Sequence, residues 1–113
     1  MQYSKETADI VRKHFPTLPQ GQLEKLAQLP SLYKYWNEKI NLISRKDIDN
    51  IAVRHILHSL FIAKVLSFDT ESTILDVGTG GGFPGLPLAL VFPEAQFTLL
   101  DSRNKKLFVI EEI

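Results

Sequence analysis

The sequence predicts an α/β protein, with a helical N-terminal region leading into the start of a parallel sheet. Two observations predict this. Apolar residues recur at helical spacing as far as Leu66, and beyond it a short β-branched run and a second strand-length run flank a helix-length apolar segment. A cluster of glycines then separates the first of those runs from that segment. The resulting order, strand–loop–helix–strand–helix, is a βαβ unit, which requires parallel pairing and a right-handed crossover.

The elements follow in chain order. Ile10, Val11 and Phe15, then Leu23, Leu26 and Leu29, then Leu32, Tyr35 and Trp36 mark helices near 5–15, 19–29 and 31–40. Pro16, Pro19 and Pro30 punctuate them, because proline lacks the amide donor and clashes with the preceding turn. Ser31 is the expected N-cap of the third helix. A fourth is expected from Asp49 to Leu66, with Asp47, Asp49 and Asn50 suited to its positive end. Val53, Ile56, Leu57, Leu60, Phe61 and Leu66 form its apolar stripe, and Arg54, His55 and His58 lie beside that stripe. Residues 1–66 therefore read as one helical region and 67–113 as the first part of a second domain. In the latter, Thr73–Val77 and Gln96–Leu100 are strands, Leu86–Phe92 is a helix closed by Pro93, and Ser102 opens a last helix. A doubly wound sheet needs more than two strands, and the last helix has no Gly or Pro stop signal. The chain thus reads as truncated, or as one whose open sheet edge is covered from outside.

Composition narrows the class. Apolar residues make up 44% and charged residues 23%, the balance of a globular protein rather than a disordered or membrane-embedded one. No apolar run approaches the ~20 residues of a membrane span, and the first residues lack a secretory pattern. The absence of cysteine excludes disulfides and thiolate metal sites. A cytoplasmic protein is expected. Net charge is zero but uneven: residues 1–66 carry ten Lys/Arg against six Asp/Glu, and residues 67–113 carry three against seven. That asymmetry suits a polyanionic partner for the first region, or simply a solvated helical surface.

The glycine cluster carries the chemistry. Four of the six glycines stand at 78 and 80–82, where a strand must turn sharply and a backbone can approach a ligand. Two cofactor classes compete. Gly80 to Gly85 satisfies the dinucleotide pattern G-x-G-x-x-G, with Asp101 placed to bind a ribose. Taken one step earlier, Asp76-x-Gly78-x-Gly80-x-Gly82 is an acidic-x-G-x-G-x-G methyltransferase loop. In that reading Gly78 and Gly80 approach the methionine part of S-adenosylmethionine, and Asp101 accepts both ribose hydroxyls. Pro84 and Pro87 remove two amides from the turn where pyrophosphate would sit, which favours the sulfonium cofactor over NAD. A structural glycine turn without ligand is the third possibility.

These residues resemble a known family. Ile74 to Ala89, with its Phe83-Pro84-Gly85-Leu86-Pro87 continuation, is similar to the first motif of the guanine-N7 methyltransferases of 16S ribosomal RNA, formerly called glucose-inhibited division protein B. Trp36-Asn37-Glu38-Lys39-Ile40-Asn41-Leu42, Arg54-His55-Ile56-Leu57-His58-Ser59, and Leu100-Asp101-Ser102 with Lys105-Lys106 agree in the same order. His58 departs from the family, where aspartate is common. The resemblance implies a Rossmann-like S-adenosylmethionine-dependent methyltransferase, cut to about half the usual length, with small-subunit ribosomal RNA as partner. It implies Gly78, Gly80, Phe83, Asp101 and Asp76 at the cofactor, and Arg54, His55 and Asn41 at the RNA. The runner-up functions are an NAD-type oxidoreductase and an inactive folded fragment.

Plainer roles stand beside these. Phe83 equally suits the core, and Asp76 suits holding backbone amides. Asn37 and Asn41 suit closing a helix end, and Trp36, Tyr33 and Tyr35 suit helix packing as well as base stacking. His55 and His58 at i, i+3 lack a third metal ligand, so no metal is expected. Guanine N7 bears a lone pair and no proton, so no catalytic base is expected either.

Overall fold

The computed structural model describes residues 3–113. Helix α1 spans Lys5–His14, with Ser4 as N-cap accepting the Thr7 amide at 3.1 Å. Helix α2 spans Gln20–Asn37, and short α3 spans Arg45–Ile48. A π-helical segment, Ala52–Leu57, leads into α4 (His58–Leu60) and α5 (Ile62–Val65). Strand β1 (Thr73–Val77), helix α6 (Gly85–Val91), strand β2 (Gln96–Leu100) and helix α7 (Asn104–Glu112) complete the described chain.

Three expectations in the helical region are corrected. Pro30 does not separate two helices; α2 runs through it. Proline in a helix interior costs about 3 kcal/mol. Here, however, Leu23, Leu26, Ala27, Leu29 and Tyr33 on both sides of it bury into one core, and that burial outweighs the cost. The carbonyls near the proline are not wasted. Ala27 O accepts the Ser4 amide at 2.9 Å, and Gln28 O accepts the Ser31 hydroxyl at 3.2 Å. Ser31 is therefore a helix-interior residue, not an N-cap.

The second correction lies before the expected fourth helix. Ser44, not Asp47 or Asp49, caps a separate turn, accepting the Asp47 amide at 3.3 Å. The third lies within that helix, which is not continuous: its first part is wound as a π-helix and a turn falls at Phe61. Single π turns inside helices are rare and occur frequently at functional sites, and Arg54 and His55 both lie in this one.

The strands match their expected limits. They pair in parallel from Thr73↔Gln96 to Val77↔Leu100, as a right-handed crossover through α6 demands. Ile74, Asp76, Phe97 and Leu99 are half-buried on one face, while Leu75, Val77 and Leu100 on the other are exposed. The period of two explains this alternation. A single core joins the helices to the βαβ unit, with Val11, Leu26, Tyr33, Ile56, Leu60 and Val109 essentially inaccessible. Among the described residues no helix is long and apolar enough to cross a membrane.

Candidate cofactor loop and adjoining pocket

The turn from β1 to α6 has two unlike sides. Gly78, Gly80 and Gly82 have φ of +73°, +58° and +104°, values that L side chains rarely adopt. At Gly78 and Gly80 a Cβ would meet nothing within 4 Å. Gly81, Gly82 and Gly85 are buried, and there a Cβ would collide. It would lie 3.0 Å from Leu42 O at Gly81, 2.9 Å from the Tyr33 hydroxyl at Gly82, and 2.8 Å from Asp76 Oδ2 at Gly85. The outer glycines leave open space above the main chain; the inner ones let the loop press onto the protein.

Two carboxylates hold this loop. Asp76 Oδ2 accepts from Thr79 Oγ1 at 2.8 Å and from the Gly85 amide at 3.0 Å. Asp101, just beyond β2, accepts the Gly80 amide on Oδ2 at 2.8 Å and the Arg103 amide on Oδ1 at 2.9 Å. The Arg103 amide first, then that of Gly80, hold the Asp101 carboxyl below the usual carboxylate range. Each of its oxygens retains a lone pair after these bonds. The anion is therefore fixed beside the open glycines with capacity to accept more.

A pocket of about 250 Å³ adjoins the end of the loop, lined by Arg54, His55, His58, Ser59, Phe83 and Pro84. Asp47 anchors its basic side, with Oδ2 at 3.3 Å from His55 Nε2 and Oδ1 at 3.6 Å from Arg54 Nη1. Ser59 Oγ on α4 donates back to the His55 carbonyl of the π-helical turn at 2.5 Å. Phe83 lies between two rings, 5.0 Å from Tyr33 and 4.9 Å from His55. With both neighbours close, Phe83 offers a ligand chiefly its edge.

The structure thus brings Asp76, Gly78, Gly80 and Asp101 together at the loop, and Arg54, His55 and Phe83 at the pocket. Asn41 is exposed in the segment after α2, one residue before Leu42, whose carbonyl lies against Gly81. Asn37 closes that segment: its Oδ1 accepts the Leu42 amide at 2.7 Å and the Ile43 amide at 3.0 Å. Trp36 packs edge-on to Tyr35 and Phe108. Among the described residues no three His, Asp or Glu side chains converge as metal ligands. Asp47 and Thr79 escaped the sequence reading as site residues. Asp47 looked like a helix cap, and only the π turn reveals which residues it faces. Thr79 was a filler between glycines, although a hydroxyl three residues after a carboxylate suits the bond it makes.

Comparisons with known proteins give the family. The family model described as rRNA small subunit methyltransferase G matches residues 22–113. A protein of Christiangramia forsetii named ribosomal RNA small subunit methyltransferase G is 56% identical over 107 residues, covering 95% of this chain and 51% of that protein. Proteins of the same name match from Flavobacterium johnsoniae, 55% identical over 93% of this chain and 50% of the relative, and from Porphyromonas gingivalis, 50% identical over 93% and 48%. The chain spans about half the length of the curated relatives it matches. Its helical region, parallel βαβ unit and glycine loop are those of a Rossmann-like methyltransferase, and the chain belongs to the rRNA small subunit methyltransferase G family.

Proposed function

We propose that the chain carries the cofactor-binding part of an S-adenosylmethionine-dependent enzyme that methylates N7 of a guanine in 16S ribosomal RNA. The observation that carries this reading is the open outer side of the loop: bare main chain at Gly78 and Gly80, flanked by a fixed Asp101 carboxylate. Such a cradle fits a nucleoside with a ribose diol and a short polar tail. The cofactor, when bound, supplies a methyl group on a positively charged sulfur.

The residues of this chain bind and align. Asp101 accepts the ribose hydroxyls, while Gly78 and Gly80 leave room for the amino-acid tail. Asp76 acts on the loop rather than on the ligand, since Thr79 and Gly85 occupy its Oδ2. Arg54 and His55 face the RNA from the adjoining pocket, and Phe83 separates that pocket from the loop. Guanine N7 needs no deprotonation, so proximity and in-line alignment do the work, which can lower a barrier by up to roughly 7–11 kcal/mol. The division near Leu66 then has a functional sense: residues 1–66 present the RNA side and residues 67–113 the cofactor side. A cytoplasmic location belongs to the same proposal, and the ribosomal RNA substrate supports it.

The dinucleotide alternative fares worse at the start of α6. Pro84 and Pro87 have no amide, the Gly85 amide is bonded to Asp76, and the Leu86 amide is bonded to Gly82 O at 2.6 Å. A pyrophosphate would find no free donor among these, and a carboxylate beside it. Calorimetric titration of the full chain with S-adenosylhomocysteine and with NAD separately tests the choice. Binding of NAD alone overturns it. Transfer of labelled methyl to small-subunit RNA, followed by mass spectrometry of the modified nucleotide, tests the substrate; label on any atom but guanine N7 refutes the assignment.

A further inference from the structure

We propose that Tyr33 is a positioning residue for the cofactor loop, acting from the helical region on Gly81, Gly82 and Phe83. The inference rests on the methyltransferase reading above and deepens it. Tyr33 is fully buried on α2, forty-eight residues before the loop. Its hydroxyl donates to the Gly81 carbonyl. The same hydroxyl lies where a Cβ on Gly82 would come within 2.9 Å, and its ring packs 5.0 Å from Phe83. Three consecutive loop residues are therefore registered on one side chain.

Chemistry makes this tie firm. Burial pushes the phenol pKa up, so the group stays a protonated donor across the physiological range. Gly81 is buried, so loss of the hydroxyl deprives its carbonyl of a partner that bulk water cannot readily replace. Phe83, held by Tyr33 on one side, meets His55 on the other at 4.9 Å. Tyr33 thus sets both the height of the bare main chain at Gly80 and the wall between loop and pocket. Tyr35, two residues on, is exposed and has no such reach.

Tyr33→Phe removes the hydroxyl and keeps the ring. On the full chain, calorimetry should show S-adenosylhomocysteine binding weakened about three- to tenfold, the worth of one buried hydrogen bond. KM for S-adenosylmethionine should rise by the same factor, with kcat at saturation and RNA affinity nearly unchanged. Tyr33→Leu, which also removes the ring, should weaken binding further. A Tyr33→Phe variant that binds with unaltered affinity, whatever its melting temperature, overturns the inference and leaves the proposed function standing. Failure of the unmodified chain to bind S-adenosylhomocysteine overturns both. Should the variants not fold, hydrogen exchange at the Gly81 amide of the unmodified chain decides, since the Gly80, Gly82 and Phe83 amides already donate to Asp101 and Thr79: protection at Gly81 without ligand supports the tie, and exchange at the rate of an exposed turn refutes it.

Discussion

Gly82→Ala and Gly78→Ala form a matched pair that separates the inner side of the loop from its outer side. Both glycines have positive φ, +104° and +73°, so a methyl at either strains the backbone by about 1–2 kcal/mol. At Gly78 nothing else is added, because the new Cβ meets open space. At Gly82 the Cβ would lie 2.9 Å from the Tyr33 hydroxyl, 3.3 Å from Ile110 Cγ1 and 3.4 Å from Leu86 Cβ. The hydroxyl is the end of a rigid ring in a filled core and is bonded to Gly81, so it has little freedom to withdraw. Overpacking of this kind adds about 1–3 kcal/mol. The expected losses are therefore about 1–2 kcal/mol for Gly78→Ala and about 2–5 kcal/mol for Gly82→Ala.

Urea unfolding followed by circular dichroism measures the two, and calorimetry with S-adenosylhomocysteine adds the second axis. Gly78→Ala should retain most stability and lose most binding, since its methyl enters the space assigned to the ligand. Gly82→Ala should lose the greater share of stability. Equal unfolding midpoints for the two variants would refute the division of the loop into a ligand side and a packing side. Unimpaired binding by Gly78→Ala would refute the cofactor cradle itself.

Three further outcomes follow from named contacts. Thr79→Val removes the buried hydroxyl that donates to Asp76, and urea unfolding should register a loss of about 1–2 kcal/mol; no loss would mean Asp76 does not hold the loop. Because backbone amides lower the Asp101 pKa, its carboxylate persists as pH falls and is lost only below the ordinary range. S-adenosylhomocysteine affinity should therefore stay level from neutrality down to about pH 5, and a fall centred above that value that Asp101→Asn abolishes would contradict the assignment. Arg54→Ala should weaken binding of small-subunit RNA and reduce its log–log salt dependence by about one, while leaving cofactor affinity nearly intact; unchanged RNA affinity in a filter-binding assay would remove Arg54 from the interface.

How legible the fold was in sequence depended on whether local signals competed with packing. Both strands could be read to the residue, since Thr73–Val77 is a β-branched run ending at Gly78 and Gln96–Leu100 is a strand-length, mostly apolar run set between Pro93 and Asp101. Pro30 misled because its local cost is real, yet the five buried residues of that helix exceed it, and no local pattern records that sum. Asp47 misled for a related reason. Three acidic or amide residues before a periodic stretch all look like caps, and the choice of Ser44 depends on where the chain turns after Asn37. In the candidate site, the grouping of the glycines with Asp101 was legible because it is local to one turn and one strand end. Tyr33 was not, because at helical spacing it is indistinguishable from Tyr35, and only the packing of α2 under the loop tells them apart.

The glycine motif combines two constraints that arise from different parts of the chain. An alternating pattern of small residues after β1 leaves open space at 78 and 80, which the proposed function assigns to a ligand, and that part would suit any fold that lays main chain against a nucleoside. Gly81, Gly82 and Gly85 answer instead to Leu42, Tyr33 and Asp76, two of which lie in the helical region and one at the strand end. The Phe83-Pro84-Gly85 continuation follows from the same packing: Phe83 fills the gap between Tyr33 and His55, and Gly85 lets its amide reach Asp76. A loop transplanted without α2 would keep the ligand-facing glycines but lose the surface that sets their height. Under the proposed function the helical region is therefore part of the cofactor site, joined to it by packing rather than by contact with the ligand, and the same rings carry that packing on to the pocket lined by Arg54 and His55.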